Sequence, residues 1–223
     1  MYIKKILLII ALLGILGLAG FSWYIYDVIF SSNTSFSEET VDIYVPTGAT
    51  YSEVSQILAP YLENREEFDI VAQKKGYTGN VKAGRFILEK GMNNNEIINT
   101  LRSTNEPVWV TFNNQERLED LAGRVAAQIE ADSVAILKSM KDSAFLEEQG
   151  FEAQNALSMY IPNKYQFFWN TSAEEFRERM KKEYDSFWTE KKLARAKELG
   201  LTPHEVMVLA SIVQKETAKV EIG

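Results

Sequence analysis

The first thirty residues contain the feature that most constrains how this chain can fold. From Ile6 to Tyr26 the sequence runs for 21 residues without a charge, and almost all of them are apolar. A helix of that length spans about 31 Å, which matches the hydrocarbon core of a bilayer. No face of this helix is polar, which argues against a buried helix of a soluble protein. The sequence therefore predicts a membrane-spanning helix within residues 1–30.

Charged and aromatic residues at the two ends of this segment predict its orientation. Lys4 and Lys5 precede the apolar run, and Asp27 follows it. The positive-inside rule then places the N-terminus in the cytoplasm and the bulk of the chain outside. Aromatic residues from Trp23 to Tyr26 cluster at the outer end, as in an aromatic belt. We interpret residues 1–30 as an uncleaved signal anchor, with a cleaved signal peptide as the alternative.

Composition excludes several kinds of chemistry. The chain has 223 residues, no cysteine and a single histidine, His204. Disulfides and zinc–thiolate sites are therefore excluded, and a histidine-based triad or a histidine-rich metal site is disfavoured. The formal net charge is −7, and the sequence has no basic run suited to a phosphate backbone. We therefore expect no nucleic acid among its partners.

The rest of the chain divides into a linker and two modules. Residues 31–40 are polar and lack periodicity, which predicts a linker from the membrane surface. Residues 41–106 show the order strand, helix, helix, strand, helix, and Pro107 marks the next boundary. Residues 107–223 begin with a strand and continue mainly as helices. The predicted fold class is α+β: a transmembrane helix, a small α/β module and a mixed α/β domain.

Capping patterns predict where the helices begin. Thr50 and Glu53 have capping-box spacing, and Asn93 is a candidate cap for the last helix of the first module. In the second module, Asn113 with Glu116 is predicted to cap a helix. One long helix is predicted from Ser172 to Gly200, with its charged face in solvent.

The terminal helix gives the sharpest local signal. Thr202 is a good N-cap and Glu205 completes a capping box. At about 100° per residue, with Leu209 taken as zero, Glu216 falls near −20°. Glu216 therefore lies in the middle of the apolar stripe, whereas Gln214 lies well away from it.

A carboxylate on an apolar face suggests a chemical role. It is costly there unless it is paired, hydrogen-bonded or protonated. A carboxyl group removed from water has a raised pKa, which suits a general acid that protonates a glycosidic oxygen. The plainer alternative is that the stripe faces solvent in this last turn, or that Glu216 pairs with Lys219. From the residues alone, this alternative is favoured.

Three stretches resemble one protein family. LASIVQKET, residues 209–217, resembles the ASI-(I/V)-E-K-E-T signature of the YceG-like (MltG-like) endolytic murein transglycosylases. AGRFILEKGMNNNEIINTL and YIPNKYQF resemble two further stretches of that family, AG-x-Y…GM…LL and (F)-P-D-T-Y. The N-terminal anchor and the order of elements in residues 41–106 also match. The resemblance runs along essentially the whole chain.

The resemblance assigns a role to one residue. The family's catalytic glutamate, the second of EKET, corresponds to Glu216, and the first is Gln214 here. Asn163 and Lys164 replace Asp-Thr of the second stretch, so no role is carried over to them. The family's chemistry uses a single glutamate, first as acid to the leaving oxygen and then as base to the 6-hydroxyl of muramic acid. It requires no metal and no organic cofactor.

The resemblance also implies a location and a substrate. It implies a bacterial inner-membrane lyase with a single pass and its bulk in the periplasm. The enzyme would cleave the MurNAc–GlcNAc bond of peptidoglycan, leave 1,6-anhydroMurNAc ends and so terminate glycan strands. Its partners would be those strands and also peptidoglycan synthases or division proteins. Residues 41–106 resemble a LysM-like module, a type that binds N-acetylglucosamine chains; a structural spacer is the alternative.

The family continues past the terminal motif with N-R-L and PG-x-I-x-N-P-G stretches, which this sequence lacks. We therefore expect residues 107–223 to be the truncated N-terminal part of a catalytic domain that is inactive alone. A different hypothesis is a non-catalytic peptidoglycan-binding or division-scaffold protein. A third is a periplasmic domain without glycan contact.

Overall fold

The fold consists of two compact units. A computed structural model describes residues 2–103 and 105–220, with side chains for all of these except 215 and 218–220. The chain divides into Met1–Glu106 and Pro107–Gly223. Each unit contains a two-stranded antiparallel sheet and several helices. The predicted α+β class is therefore confirmed.

The first unit follows the predicted order of elements. Its sheet pairs β1 with β2 in the register Thr40↔Glu89 to Val45↔Gly84. The side chains of Ile97, Ile98 and Leu101, on the inner face of the last helix of this unit, are fully buried. The elements of this unit are α1 Tyr2–Phe30, β1 Thr40–Val45, α2 Tyr51–Leu58, α3 Arg65–Lys74, β2 Gly84–Glu89 and α4 Asn94–Arg102.

Helix α1 has the predicted length and character. It contains 29 residues with a mean hydropathy of 2.5 in its most apolar window, so it is long and apolar enough to cross a membrane. Residues 2–27 are all exposed, which suits a helix that faces lipid. Near its C-terminal end, the rings of Trp23, Tyr26 and Phe30 contact one another in sequence along the helix, with centroid distances of 6.5 and 5.1 Å.

The predicted linker over residues 31–40 is instead packed against the first unit. Asn33 is only 2% exposed. Its Nδ2 donates to the carbonyl of Asn64 at 2.8 Å and to Oδ1 of Asn94 at 2.6 Å. Its Oδ1 accepts from the backbone N–H of Asn64 at 2.6 Å. Buried amides are tolerated when they are fully hydrogen-bonded, and so a polar segment is part of the folded unit.

The second unit is mainly helical. Its sheet pairs β3 with β4 in the register Pro107↔Phe168 to Phe112↔Asn163. The helices cover a core formed by one cluster of buried apolar side chains. The elements of this unit are β3 Pro107–Phe112, α5 Leu118–Ala126, α6 Ser133–Met140, α7 Ser143–Glu148, β4 Asn163–Phe168, α8 Ala173–Phe187, α9 Glu190–Glu198 and α10 Pro203–Val220.

Two predictions for the second unit are wrong. Helix α5 begins at Leu118 after Arg117, and no side chain caps it; Asn113 Oδ1 instead accepts from Gln115 Nε2 at 2.6 Å. The long helix is interrupted as well, because buried Trp188 ends α8 and Thr189 caps α9.

Arg177 on α8 is buried, although the charged face of this helix was predicted to be solvated. It is 7% exposed, and its Nη1 donates to the Ser139 carbonyl and to Asp142 Oδ2, each at 3.0 Å. The guanidinium also lies over the ring of Phe145, 3.8 Å from its centroid. Arg177 therefore joins α8 to α6 and α7.

We expect Arg177→Ala to lower the free energy of unfolding of the second unit by about 1–3 kcal/mol, because a buried hydrogen bond and ring packing are lost. Arg179→Ala, on the same helix but in an exposed pair with Glu183, is the matched control and should cost less than about 1 kcal/mol. Urea unfolding followed by tryptophan fluorescence measures both, since three of the four tryptophans lie in this unit. Equal effects would contradict the role of Arg177.

The acid stability of the unit should depend on the same pair. The hydrogen bond from Arg177, helped by the N–H of Phe145, holds the pKa of Asp142 below its usual range. The pair therefore stabilises the fold above the unfolded pKa of about 3.9, and this contribution is lost as the pH falls through the lower folded pKa. Asp142→Asn keeps the helix cap and should weaken the dependence of unfolding on pH below about pH 4. Glu178→Gln, which removes an exposed carboxylate on α8, is the matched control, and a pH profile of Asp142→Asn that equals the wild-type profile would contradict the role of the pair.

Candidate active site

Helix α10 carries the predicted catalytic residue, and its start has the predicted cap. The Thr202 N–H donates to Glu205 Oε2 at 2.7 Å, and the Glu205 N–H donates to Thr202 Oγ1 at 3.3 Å. The first of these bonds contributes most to holding the pKa of Glu205 below its usual range. Val206 and Met207 then pack against the core of the second unit. The first turns of α10 are therefore held in place by both a cap and apolar contacts.

The later part of α10 presents an apolar face to solvent. Leu209, Ile212 and Val213 are 47%, 52% and 61% exposed, and Glu216 on the same face is also exposed. The helix is continuous through this region, so its periodicity places these side chains together as predicted. In this structure the stripe faces solvent, which was the plainer alternative from the sequence. The side chain of Lys219, the other partner considered for Glu216, lies outside the described residues.

The hydroxyl groups near Glu216 are occupied within the helix. Ser211 Oγ donates to the Met207 carbonyl, and Thr217 Oγ1 to the carbonyls of Val213 and Gln214, all at 3.0 Å. Such back-bonding lets serine and threonine lie within a helix. Glu216 is the acidic residue of the LASIVQKET motif.

The YIPNKYQF stretch is part of the sheet of the second unit. Asn163 and Lys164 begin β4, and Lys164 Nζ lies 4.4 Å from the ring centroid of Trp109 on the paired strand. Tyr165 Oη donates to the Ile161 carbonyl at 2.7 Å. In this structure the polar and aromatic side chains of this stretch therefore make contacts within the sheet and the turn before it.

The histidine and the acidic side chains form no metal site within the part of the chain that the structure describes. His204 Nδ1 is buried and has no hydrogen-bond partner among the described residues. Across residues 2–103 and 105–220, no three His, Asp or Glu side chains come together in a way that could hold a metal ion.

The first unit contains a surface depression that the sequence did not predict. It lies where β1 turns into α2, and Gly48 there has a φ of 77°, which favours glycine. Both polar and apolar side chains line this open depression. The Pro46-Thr47-Gly48 turn followed by a capping box was the available sequence signal. The lining residues are Pro46, Thr47, Gly48, Ala49, Glu53, Gln56 and Ile57.

No curated protein sequence matches the chain. The crystal structure of a yceG-like protein from Listeria monocytogenes is similar at 23% identity and a TM-score of 0.48, over 81% of this chain and 65% of that chain. The alignment thus spans less than two thirds of the Listeria chain. The model of the YceG-like family matches residues 43–222. Because this match extends over more than half of the sequence, the chain belongs to the YceG-like family.

Proposed function

We propose that this chain is the membrane-anchored part of a peptidoglycan lytic transglycosylase in which Glu216 is the general acid and base. The observation that carries the proposal is the family match through residue 222, which includes the whole LASIVQKET motif on α10. Helix α1 is the proposed single-pass anchor in the bacterial inner membrane, with the two units in the periplasm. The proposed partners are glycan strands, together with peptidoglycan synthases or division proteins.

The proposed reaction requires one carboxyl group. Glu216, as the acid, donates its proton to the glycosidic oxygen while the bond from that oxygen to the anomeric carbon of MurNAc breaks. The 6-hydroxyl of the same sugar then attacks the anomeric carbon, and the Glu216 carboxylate takes the hydroxyl proton. The product is a 1,6-anhydro end, the glutamate regains its proton, and no water is consumed. A second carboxylate, which hydrolysing glycosidases use, is therefore unnecessary.

The apolar helix face around Glu216 would support this role when it is covered and forms the wall of a cleft. Three exposed apolar side chains share its helix face, those of Leu209, Ile212 and Val213. When such a face is covered, water is excluded, and a low-dielectric environment favours the uncharged form of a carboxyl group. Among the described residues this face is open. We therefore expect residues 1–223 alone to release no anhydro-ended products.

A second candidate function is glycan binding without catalysis. The observation that favours it is the depression at the β1–α2 turn, with its mixed lining. Under this hypothesis the first unit, which resembles a LysM-like module, holds peptidoglycan, and α10 has a structural role.

Purified sacculi distinguish the two functions. The protein expressed from its complete reading frame should produce anhydro-ended muropeptides that mass spectrometry detects. Glu216→Gln should abolish them, since the amide keeps the size of the side chain but cannot donate and accept the proton. Gln214→Ala is the matched control on the same helix and should retain activity, because position 214 lies off the stripe.

Two outcomes contradict the enzymatic proposal. Equal product from the wild type and Glu216→Gln would remove the catalytic role of this residue. No product from any variant, together with co-sedimentation of all of them with sacculi, would favour the binding function.

A further inference from the structure

The membrane helix runs directly into the folded part of the first unit. Residues 2–27 of α1 are exposed, whereas Val28 is 4% exposed and Ile29 packs against the core of the unit. The helix continues without interruption to Phe30. The last turn of α1 therefore belongs to the hydrophobic core of this unit.

A side chain from α4 caps this last turn. The Nδ2 of Asn94 donates to the carbonyl of Val28 at 2.8 Å, and Asn94 is fully buried. The carbonyl of Val28 is one of the last four of α1, which lack partners within a helix. Asn94 Oδ1 in turn accepts from Asn33. We call this set, Asn33, Asn94 and the Val28 carbonyl, the asparagine joint.

The chain after α1 is paired almost at once. The Ser31 N–H donates to the Asp27 carbonyl, and Ser32 forms an antiparallel bridge with Asn93. The Gly91 N–H donates to Thr34 Oγ1 at 2.7 Å. A flexible linker of ten residues would instead add about 17 Å of root-mean-square reach.

Aromatic residues indicate the depth of the joint. Trp23, Tyr26 and Phe30 contact one another and are exposed. Tryptophan and tyrosine rings on a spanning helix concentrate at the membrane–water interface. Val28 lies between Tyr26 and Phe30, about 3 Å along the axis from either. The asparagine joint is therefore at the level of the lipid headgroups when α1 spans a bilayer.

We propose that the first unit is seated on the bilayer and that its surface around the end of α1 contacts phospholipid headgroups. Two segments adjoin the residues that follow α1 and form this surface: residues 90–93 before α4, and the first turn of α3 after Asn64. The proposal rests on the anchoring role of α1 in the proposed function. It is independent of catalysis by Glu216.

Site-specific labels test this placement on the full chain in lipid vesicles. The chain has no cysteine, so Glu66→Cys, Lys90→Cys and Ser52→Cys each introduce one thiol at an exposed position. Glu66 and Lys90 lie in or beside the proposed surface. Ser52 follows the turn at the opposite end of β1, about 17 Å further along the strand. Each variant carries a fluorophore in phosphatidylethanolamine–phosphatidylglycerol vesicles with a nitroxide on the lipid headgroup.

We expect the nitroxide to quench most of the emission from the labels at positions 66 and 90, and little of the emission from the label at position 52. An insertion of about eight Gly and Ser residues between Asp27 and Val28 leaves Val28, Asn33 and Asn94 in the folded unit but separates the membrane-spanning residues 2–27 from it. It should restore emission at positions 66 and 90. Equal emission at all three positions in the uninserted protein would overturn the proposal. Quenching that survives the insertion would overturn the role of the joint.

Flotation of the vesicles separates this proposal from the anchor. Protein that does not float with the lipid would refute the membrane-anchoring role of α1 and, with it, the contact between the first unit and the headgroups. Protein that floats but shows no quenching at positions 66 and 90 would refute only the contact between the first unit and the headgroups.

Discussion

The hydrogen bond from the Asn94 side chain to the Val28 carbonyl determines how the apolar helix meets the folded part of the first unit. A buried amide without partners would cost about 1–3 kcal/mol. Here Asn94 binds both Val28 and Asn33, and Asn33 also binds Asn64. The network therefore stabilises a single arrangement of α1, α3 and α4. Loss of the bond between Asn94 and the Val28 carbonyl would leave buried polar groups without partners.

Local sequence signals predicted most helix starts correctly. The capping boxes at Thr50, Asn93 and Ser172 are present in the structure, and that at Thr202 is present as well. Each joins residues only three positions apart, so the sequence contains the complete interaction. Strands β1 and β3 also follow from alternation, because one face of each is buried.

Apart from the cap predicted at Asn113, the misses involve partners far apart in the sequence. The bond between Asn33 and Asn94 joins residues 61 positions apart, and Arg177 pairs with Asp142 across 35 positions. Neither pair has a local pattern, so a polar segment was interpreted as a linker and a charged helix face as solvated. Trp188 was taken as part of a long helix because its burial depends on distant core residues. For Glu216, periodicity gives the face of α10 that it shares, but not what covers that face.

Because the last turn of α1 is packed in the core of the first unit, a tilt of α1 in a bilayer would tilt the unit with it. Membrane-spanning helices are tilted by about 20° on average, and the tilt changes with the thickness of the bilayer. A unit of this size is about 30 Å across. With the helix in a bilayer and no hinge at the joint, a tilt of about 20° moves the outer end of the unit sideways by about 10 Å. The thickness of the surrounding lipid thereby helps to set which part of the space above the membrane the β1–α2 turn can reach.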